Sequence, residues 1–267
     1  MKQVGGEAID LEVLLPTGVD PHTFEPTPRD LTILANSDVV FINGAGLELF
    51  LERILQSANG GAAKVVSVSE GISLRQLQKP HAGELQDTDG EGADPHVWFD
   101  PQNVILWTLK IETTLSDLDP DKAGYYTDNG DDYRQQLRQL DAWIREQVAE
   151  VPVDNRKLVT DHQVFGYFAD RYGFEQVGAI VPGFSTASEP SAGDMAALQD
   201  TVRQLGVRAV FVGTTANPGM TERLAEDTGI QIVPVFTGSL SAPGGQAASY
   251  LNFMRYDVSA IVSALNE

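Results

Sequence analysis

The sequence predicts an α/β protein of two lobes, each a mainly parallel sheet with flanking helices, bridged by one long rigid helix. Short apolar runs alternate with helix-period segments in both halves of the chain, which is the pattern of βα units. Between the halves, Tyr133, Leu137, Leu140, Ile144, Val148 and Val151 recur at intervals of three and four, so Asp131 to Val151 reads as one amphipathic helix. A chain of 267 residues is long for one core and suits two, at roughly 100–200 residues per domain. The expected division is an N-terminal lobe of residues 1–130, an interlobe helix of 131–151 and a C-terminal lobe of 152–267.

Taken in order, Ile9 to Leu15, Val39 to Asn43 and Lys64 to Ser67 read as strands of the first lobe. Between the first two, Thr27 is placed to cap a helix that starts at Pro28 and carries Asp30 at its third position. Asp100-Pro101 opens a second helix running to about Leu118, and Asp119-Pro120 opens a short third one. Gly83 to Asp94 has almost nothing apolar to bury and is expected to be a mobile loop, dispensable for tight binding. Past Pro152, strands are expected near Leu158–Thr160, Gln176–Val181, Ala209–Val212 and Gln231–Val235, with a terminal helix from about Tyr250.

A formal charge of −20 repels phosphate backbones and anionic membrane surfaces, which argues against nucleic acid and direct lipid binding. The same charge serves as a solvated, solubility-promoting exterior. With no cysteine there is no disulfide framework and no thiolate, so any transition metal must be held by nitrogen and oxygen. No apolar run approaches the ~20 residues of a membrane span.

Of four histidines, three stand where a strand or loop hands over to a helix. His22 lies in Asp20-Pro21-His22, His96 in Asp94-Pro95-His96 and His162 in Thr160-Asp161-His162. In open α/β sheets, ligands bind outside the carboxyl ends of the strands, where such turns lie. The repeated Asp-Pro-His tripeptide gives each histidine a rigid entry, because proline presets the chain direction. Neutral imidazole suits zinc, copper, nickel and iron, and each ring's second nitrogen needs a partner that fixes its tautomer. Asp20, Asp94 and Asp161 are candidates for that role or for local turn and cap bonds. Because ligating imidazoles must be neutral, metal binding is expected to weaken as pH falls through about 6. His81, at the mouth of the acidic loop, reads as a solvent-exposed residue.

Several of these segments resemble the zinc/manganese substrate-binding proteins of ABC transporters. Gly18-Val19-Asp20-Pro21-His22-Thr23-Phe24-Glu25-Pro26, then Ser37-Asp38-Val39-Val40 and Asn43-Gly44-Ala45-Gly46-Leu47-Glu48, are similar to that family's first signature. Asp94-Pro95-His96-Val97-Trp98-Phe99-Asp100-Pro101 is similar to its second, and Lys157-Leu158-Val159-Thr160-Asp161-His162 with Phe165-Gly166-Tyr167-Phe168 to its third. Ser188-Glu189-Pro190-Ser191 is similar to a fourth. The motifs occur in family order and cover essentially the whole chain.

The resemblance implies a metal held between the lobes by His22, His96 and His162, and delivery to the membrane permease of an ABC importer by a monomer in the periplasm or outside the cell. Zn2+ is the first choice and Mn2+ the second, since manganese-type members tend to carry a carboxylate at the position of His162. Two departures stand out. A strand and helix that usually precede Val4 in the family are absent from this sequence. The turn Phe236-Thr237-Gly238-Ser239-Leu240 matches one that carries an acidic metal ligand, yet position 238 is glycine. A glycine there is expected to leave a gap for solvent or an anion, or to adopt a positive φ.

Three protein ligands plus water is also the arrangement of catalytic zinc. A three-histidine hydrolase or lyase is therefore the alternative, although no second catalytic group accompanies the histidines and no HExxH helix, nucleophile elbow or phosphate loop occurs. An acidic adhesion or interaction protein that has lost tight metal binding is a third reading, motivated by Gly238.

Overall fold

The computed structural model describes residues 1–48, 51, 63–76, 92–187, 189–216 and 218–266. It contains two sheets. In the first, β1 (Val39–Ile42) pairs in parallel with β2 (Lys64–Ser67). The second has the order β4-β3-β5-β6, all parallel, formed by β3 (Lys157–Thr160), β4 (Glu175–Ala179), β5 (Ala209–Gly213) and β6 (Gln231–Val235). These strands fall where apolar runs predicted them, to within two residues at either end.

The period of two along these strands sorts the second core into two layers. Leu158 of β3 and Phe211 of β5 face one cluster with Phe165, Phe168, Met254 and Ile261. Their neighbours Val159 and Val210 face the other, with Leu198, Val202 and Leu224. Helix α6 (Ala192–Leu205) and α7 (Pro218–Thr228) cover that second face, and α8 (Tyr250–Asn266) covers the first.

The expected strand Ile9–Leu15 does not form. The chain instead begins with a short helix, α1 (Lys2–Gly5), followed by a 3-10 turn at Gly6–Ala8, and residues 9–15 pair with no strand. A strand needs a neighbour's backbone to bond, and here a cleft of about 1170 Å³ lies between residues 9–15 and β1. Apolar alternation alone therefore leaves Val13 71% exposed.

Local chemistry builds α2 (Pro28–Asn36) as predicted. Thr27 accepts from the Asp30 backbone N–H, Asp30 accepts from the Thr27 backbone N–H, and Pro28 opens the first turn. Asp100 caps α3 (Pro101–Leu118) by accepting from Gln102 N–H. The long helix, α4 (Ala123–Ala149), begins at Ala123 rather than Asp131, because the 3-10 turn Pro120–Lys122 runs straight into it. Its first turns are polar and were invisible to an apolar count, yet Tyr126 is buried there against Ile111 and Leu115 of α3. Farther along, Leu137 packs with Val104 and Ile105 of α3, while Leu140, Ile144 and Val148 enter the large cluster on the second sheet. One helix thus contributes to the cores at both ends of the molecule.

Polar bonds fasten this frame. Arg171 on α5 (Gly166–Tyr172) reaches both oxygens of Asp141 on α4, at 2.8 and 2.7 Å, and Asp100 at 3.0 Å, while the Tyr172 hydroxyl donates to Asp141. The paired fork of guanidinium and carboxylate fixes direction as well as distance. Val97 and Phe99, which follow His96, are buried in the large cluster of the second sheet. The loop bearing His96 is therefore held by the core of the other half of the chain.

Candidate metal centre

The two Asp-Pro-His tripeptides make the same backbone bond. His22 N–H donates to Asp20 Oδ1 at 2.9 Å, and His96 N–H to Asp94 Oδ1 at 3.0 Å. Each aspartate closes a turn on its own histidine two residues on, with proline setting the bend between. His162 arrives differently, at the carboxyl end of β3, where the Thr160 hydroxyl and Gln176 amide both donate to its carbonyl.

These local devices bring the three rings together, with centroids 5.0 to 5.3 Å apart. His96 Nε2 lies 3.2 Å from Nε2 of His22 and 3.2 Å from Nε2 of His162. A tetrahedral ion with nitrogen ligands at about 2.0–2.1 Å requires an edge of about 3.3–3.4 Å, so the spacing suits such an ion. Among the described residues, no carboxylate oxygen joins the three nitrogens in a ligand-sized group.

The outer nitrogens of two rings face aspartates. His96 Nδ1 lies 2.9 Å from Asp94 Oδ1, an oxygen that also accepts the His96 backbone N–H, so Nδ1 carries the proton and donates. His162 Nδ1 donates to Asp161 Oδ2 at 3.2 Å. The Nε2 atoms of the two rings face one another at 3.2 Å. Of the three candidate aspartates, Asp94 both closes a turn and orients a ring, Asp161 orients a ring, and Asp20 closes a turn while receiving the Thr186 hydroxyl.

Burial lowers the pKa of the His22 and His96 rings. His96 is 1% exposed and His162 3%. Burial first, then the neighbouring His162, lowers the His22 pKa to about 4, against partial compensation from Asp20 and Asp161. Burial and both neighbouring imidazoles hold His96 well below the ordinary value. Burial also pushes the Asp94 carboxyl up to about 7, opposed by the His96 backbone N–H and by Arg75. Arg75 Nε stands 3.5 Å from the outer oxygen of Asp94.

Arg75 carried no signal that singled it out, and Tyr167 was marked only as part of the run Phe165-Gly166-Tyr167-Phe168. The Tyr167 hydroxyl donates to the Asp94 carbonyl at 2.9 Å and accepts from Arg75 N–H at 3.0 Å, and Arg75 also pairs with Asp170 on α5. Gly166 makes the approach possible, because a Cβ there would stand 2.5 Å from Arg75 Nε and 2.8 Å from Asp94 Oδ2. Asp94 is fully buried, so the expectation of a mobile loop from Gly83 to Asp94 fails at its last residue. Its deletion as a block would remove a partner of His96. His81, Ser188 and residues 83–91 lie outside the described residues.

The turn after β6 also reaches the site. Trp98 Nε1 donates to the Thr237 carbonyl at 3.0 Å, with the Trp98 ring 5.3 Å from that of His96. Gly238 is not in the positive-φ region, and the expected gap beside it is filled. A Cβ at 238 would stand 2.6 Å from Pro21 Cδ and 2.9 Å from Cγ. The sequence offered no hint of this contact, since the two residues are far apart in the chain.

Known proteins share this architecture. The zinc-binding protein TroA of Treponema pallidum is 33% identical over 274 residues, covering 99% of this chain and 84% of that protein. The manganese-binding lipoprotein MntA of Halalkalibacterium halodurans is 32% identical over 268 residues, covering 100% and 85%. The structure of the periplasmic zinc-binding protein TroA from T. pallidum superposes with a TM-score of 0.87 at 32% identity, covering 99% of this chain and 94% of that one. A family model described as zinc-uptake complex component A, periplasmic, matches residues 1–264, and the chain belongs to that family.

Proposed function

We propose that this chain captures one divalent transition-metal ion, zinc first and manganese second, through His22, His96 and His162, and passes it to the permease of an ABC importer outside the cytoplasm. The observation that carries the reading is the convergence of one ligand atom from each of the three imidazoles within 4.8 Å of one another, two of the rings having an aspartate behind them. The 3.2 Å edges from His96 Nε2 to both neighbours suit a small ion with nitrogen ligands. The trio lies between the first part of the chain and the second sheet, which supports lobes of residues 1–130 and 152–267 on either side of the 131–151 segment. Relatives named for zinc or manganese support the cargo class, and the all-imidazole donor set favours zinc of the two. The transport role rests on the family and on relatives named as ABC transporter substrate-binding lipoproteins.

Metal analysis of protein refolded without metal and then exposed to equimolar Zn2+ and Mn2+ is expected to give one zinc per chain and little manganese. No bound metal at micromolar ion would sink the proposal, and manganese in preference to zinc would overturn the choice of cargo.

The pH dependence is also expected to be shallow. Three ligands that each lost a proton on binding would make log affinity rise with a slope near three between about pH 5 and 7. With the His22 pKa at about 4 and that of His96 well below the ordinary value, those two rings are already neutral in the free protein across that range. The slope is therefore expected to stay well below three there, and to steepen only near pH 4. This is shallower than a general loss through pH 6, the expectation from the reference imidazole pKa. Competition titrations against a chelator of known pH behaviour measure it, and a slope near three would show that the rings are solvated in the free protein.

A further inference from the structure

The turn after β6, residues 236–239, faces the loops of His22 and His96 at once. Toward His96, the Thr237 carbonyl accepts from Trp98 Nε1 at 3.0 Å, and the Trp98 ring stands 5.3 Å from that of His96. Toward His22, Ser239 Oγ accepts from Gly18 N–H at 2.7 Å. Beside that bond, Gly238 comes so close to Pro21 that an added Cβ would lie 2.6 Å from the proline Cδ. Toward His162 the contact runs through β5, whose last residue, Gly213, fits between Thr237 Oγ1 and Asp161 Oδ2. That aspartate oxygen is the one facing His162 Nδ1.

The base of the turn is fixed from behind. Phe236 N–H donates at 2.8 Å to Oδ1 of Asp257 on α8, a residue only 1% exposed, and the Phe236 ring lies 5.1 Å from that of Tyr256. The same helix reaches the His96 loop directly, since the Tyr250 hydroxyl donates to the Trp98 carbonyl at 2.7 Å. His22 and His96 are 74 residues apart in sequence. Their Asp-Pro-His turns fix each histidine within its own loop, whereas the spacing between loops needs contacts that cross from one to the other. Partners outside the ligand set supply that hold in metal sites, so that the donors are in place before the ion arrives.

Resting on the metal-binding reading above, we propose that the 236–239 turn is a clamp that sets the His22 and His96 loops against one another, with Trp98, Gly238 and Ser239 as its positioning residues. Glycine at 238 is part of the device, because it lets the turn close on the Pro21 ring. Both loops are thereby fastened to α8 through one short segment, and displacing that segment slackens two ligands together.

Gly238→Ala drives a methyl group against Pro21 and is expected to lower zinc affinity by about tenfold, as loss of an outer partner does. Position 238 lies outside the positive-φ region, so the turn's own backbone accepts alanine. The double variant Gly238→Ala/Pro21→Ala removes the ring that the methyl group meets and is expected to recover most of the loss. Trp98→Phe keeps an aromatic ring, deletes the N–H donor and is expected to weaken zinc binding by a similar factor. Chelator competition measures the affinities. In both single variants the visible bands of bound Co2+ are expected to shift, while the urea midpoint of metal-free Gly238→Ala stays near that of the parent. Folded Gly238→Ala and Trp98→Phe proteins with the parent's zinc affinity and Co2+ bands would overturn the clamp and leave the metal site standing. A loss in Gly238→Ala that Pro21→Ala does not relieve would overturn it as well. A parent that binds no zinc would overturn both readings.

Discussion

His96→Ala is expected to lower zinc affinity by more than about 100-fold, the largest loss of any single substitution at the site. Removal of a group that merely orients a ligand costs about 10–100-fold in comparable metal sites, and His96 is a proposed ligand itself. Its Nε2 also lies 3.2 Å from that of each neighbour, so its removal takes away the donor shared by both short edges. Its place in the core adds a second expectation. The bond from Asp94 to the His96 backbone N–H does not depend on the side chain, so the turn survives and the variant is expected to fold. Calorimetric zinc titration beside far-ultraviolet circular dichroism tests both points. A folded His96→Ala protein that binds zinc within tenfold of the parent would show that His96 is not a ligand.

Phe99→Ala is expected to cost about 3–5 kcal/mol of stability, as truncation of a fully buried phenylalanine does when surrounding groups cannot collapse into the space. Phe99 is 0% exposed, and its ring lies 4.5 Å from that of Phe165 and 5.6 Å from that of Phe253. Those partners come from the second sheet's core, whereas Phe99 follows the His96 turn. The cavity would therefore open at the seam that holds the metal-site loop against the second half of the chain. Urea unfolding measures the loss, and zinc affinity is expected to fall as well, because the His96 loop loses its anchor. A loss below about 1 kcal/mol would show that neighbouring aromatics refill the space, which the close packing of Phe165, Phe168 and Phe174 argues against.

Much of this was legible in the chain itself. The cap at Thr27 and Asp30, the start at Asp100-Pro101, and the strands of the second sheet depend on hydrogen bonds and side-chain periods within a few residues, so a linear reading finds them. His22 and His96 were legible for the same reason, since Asp-Pro-His writes its turn into three consecutive positions, and His162 by its place at the end of an apolar run. Where the reading failed, the deciding partner was remote or missing from the local pattern. Ile9 to Leu15 alternates like a strand but has no strand beside it, and the first turns of α4 are polar in sequence yet packed on α3.

The sequence by itself determined the α/β class, the donors and the absence of a carboxylate at 238, because these follow from residue type and short-range geometry. Only the tertiary structure decided that Asp94 belongs to the site rather than to a loop, that Arg75 and Tyr167 stand behind it, and that Pro21 closes the space beside Gly238. It alone decided, too, that His22 and His96 titrate low. The reason is physical. Desolvation and steric exclusion are properties of the space around a group, and that space is assembled from segments dozens to hundreds of residues apart.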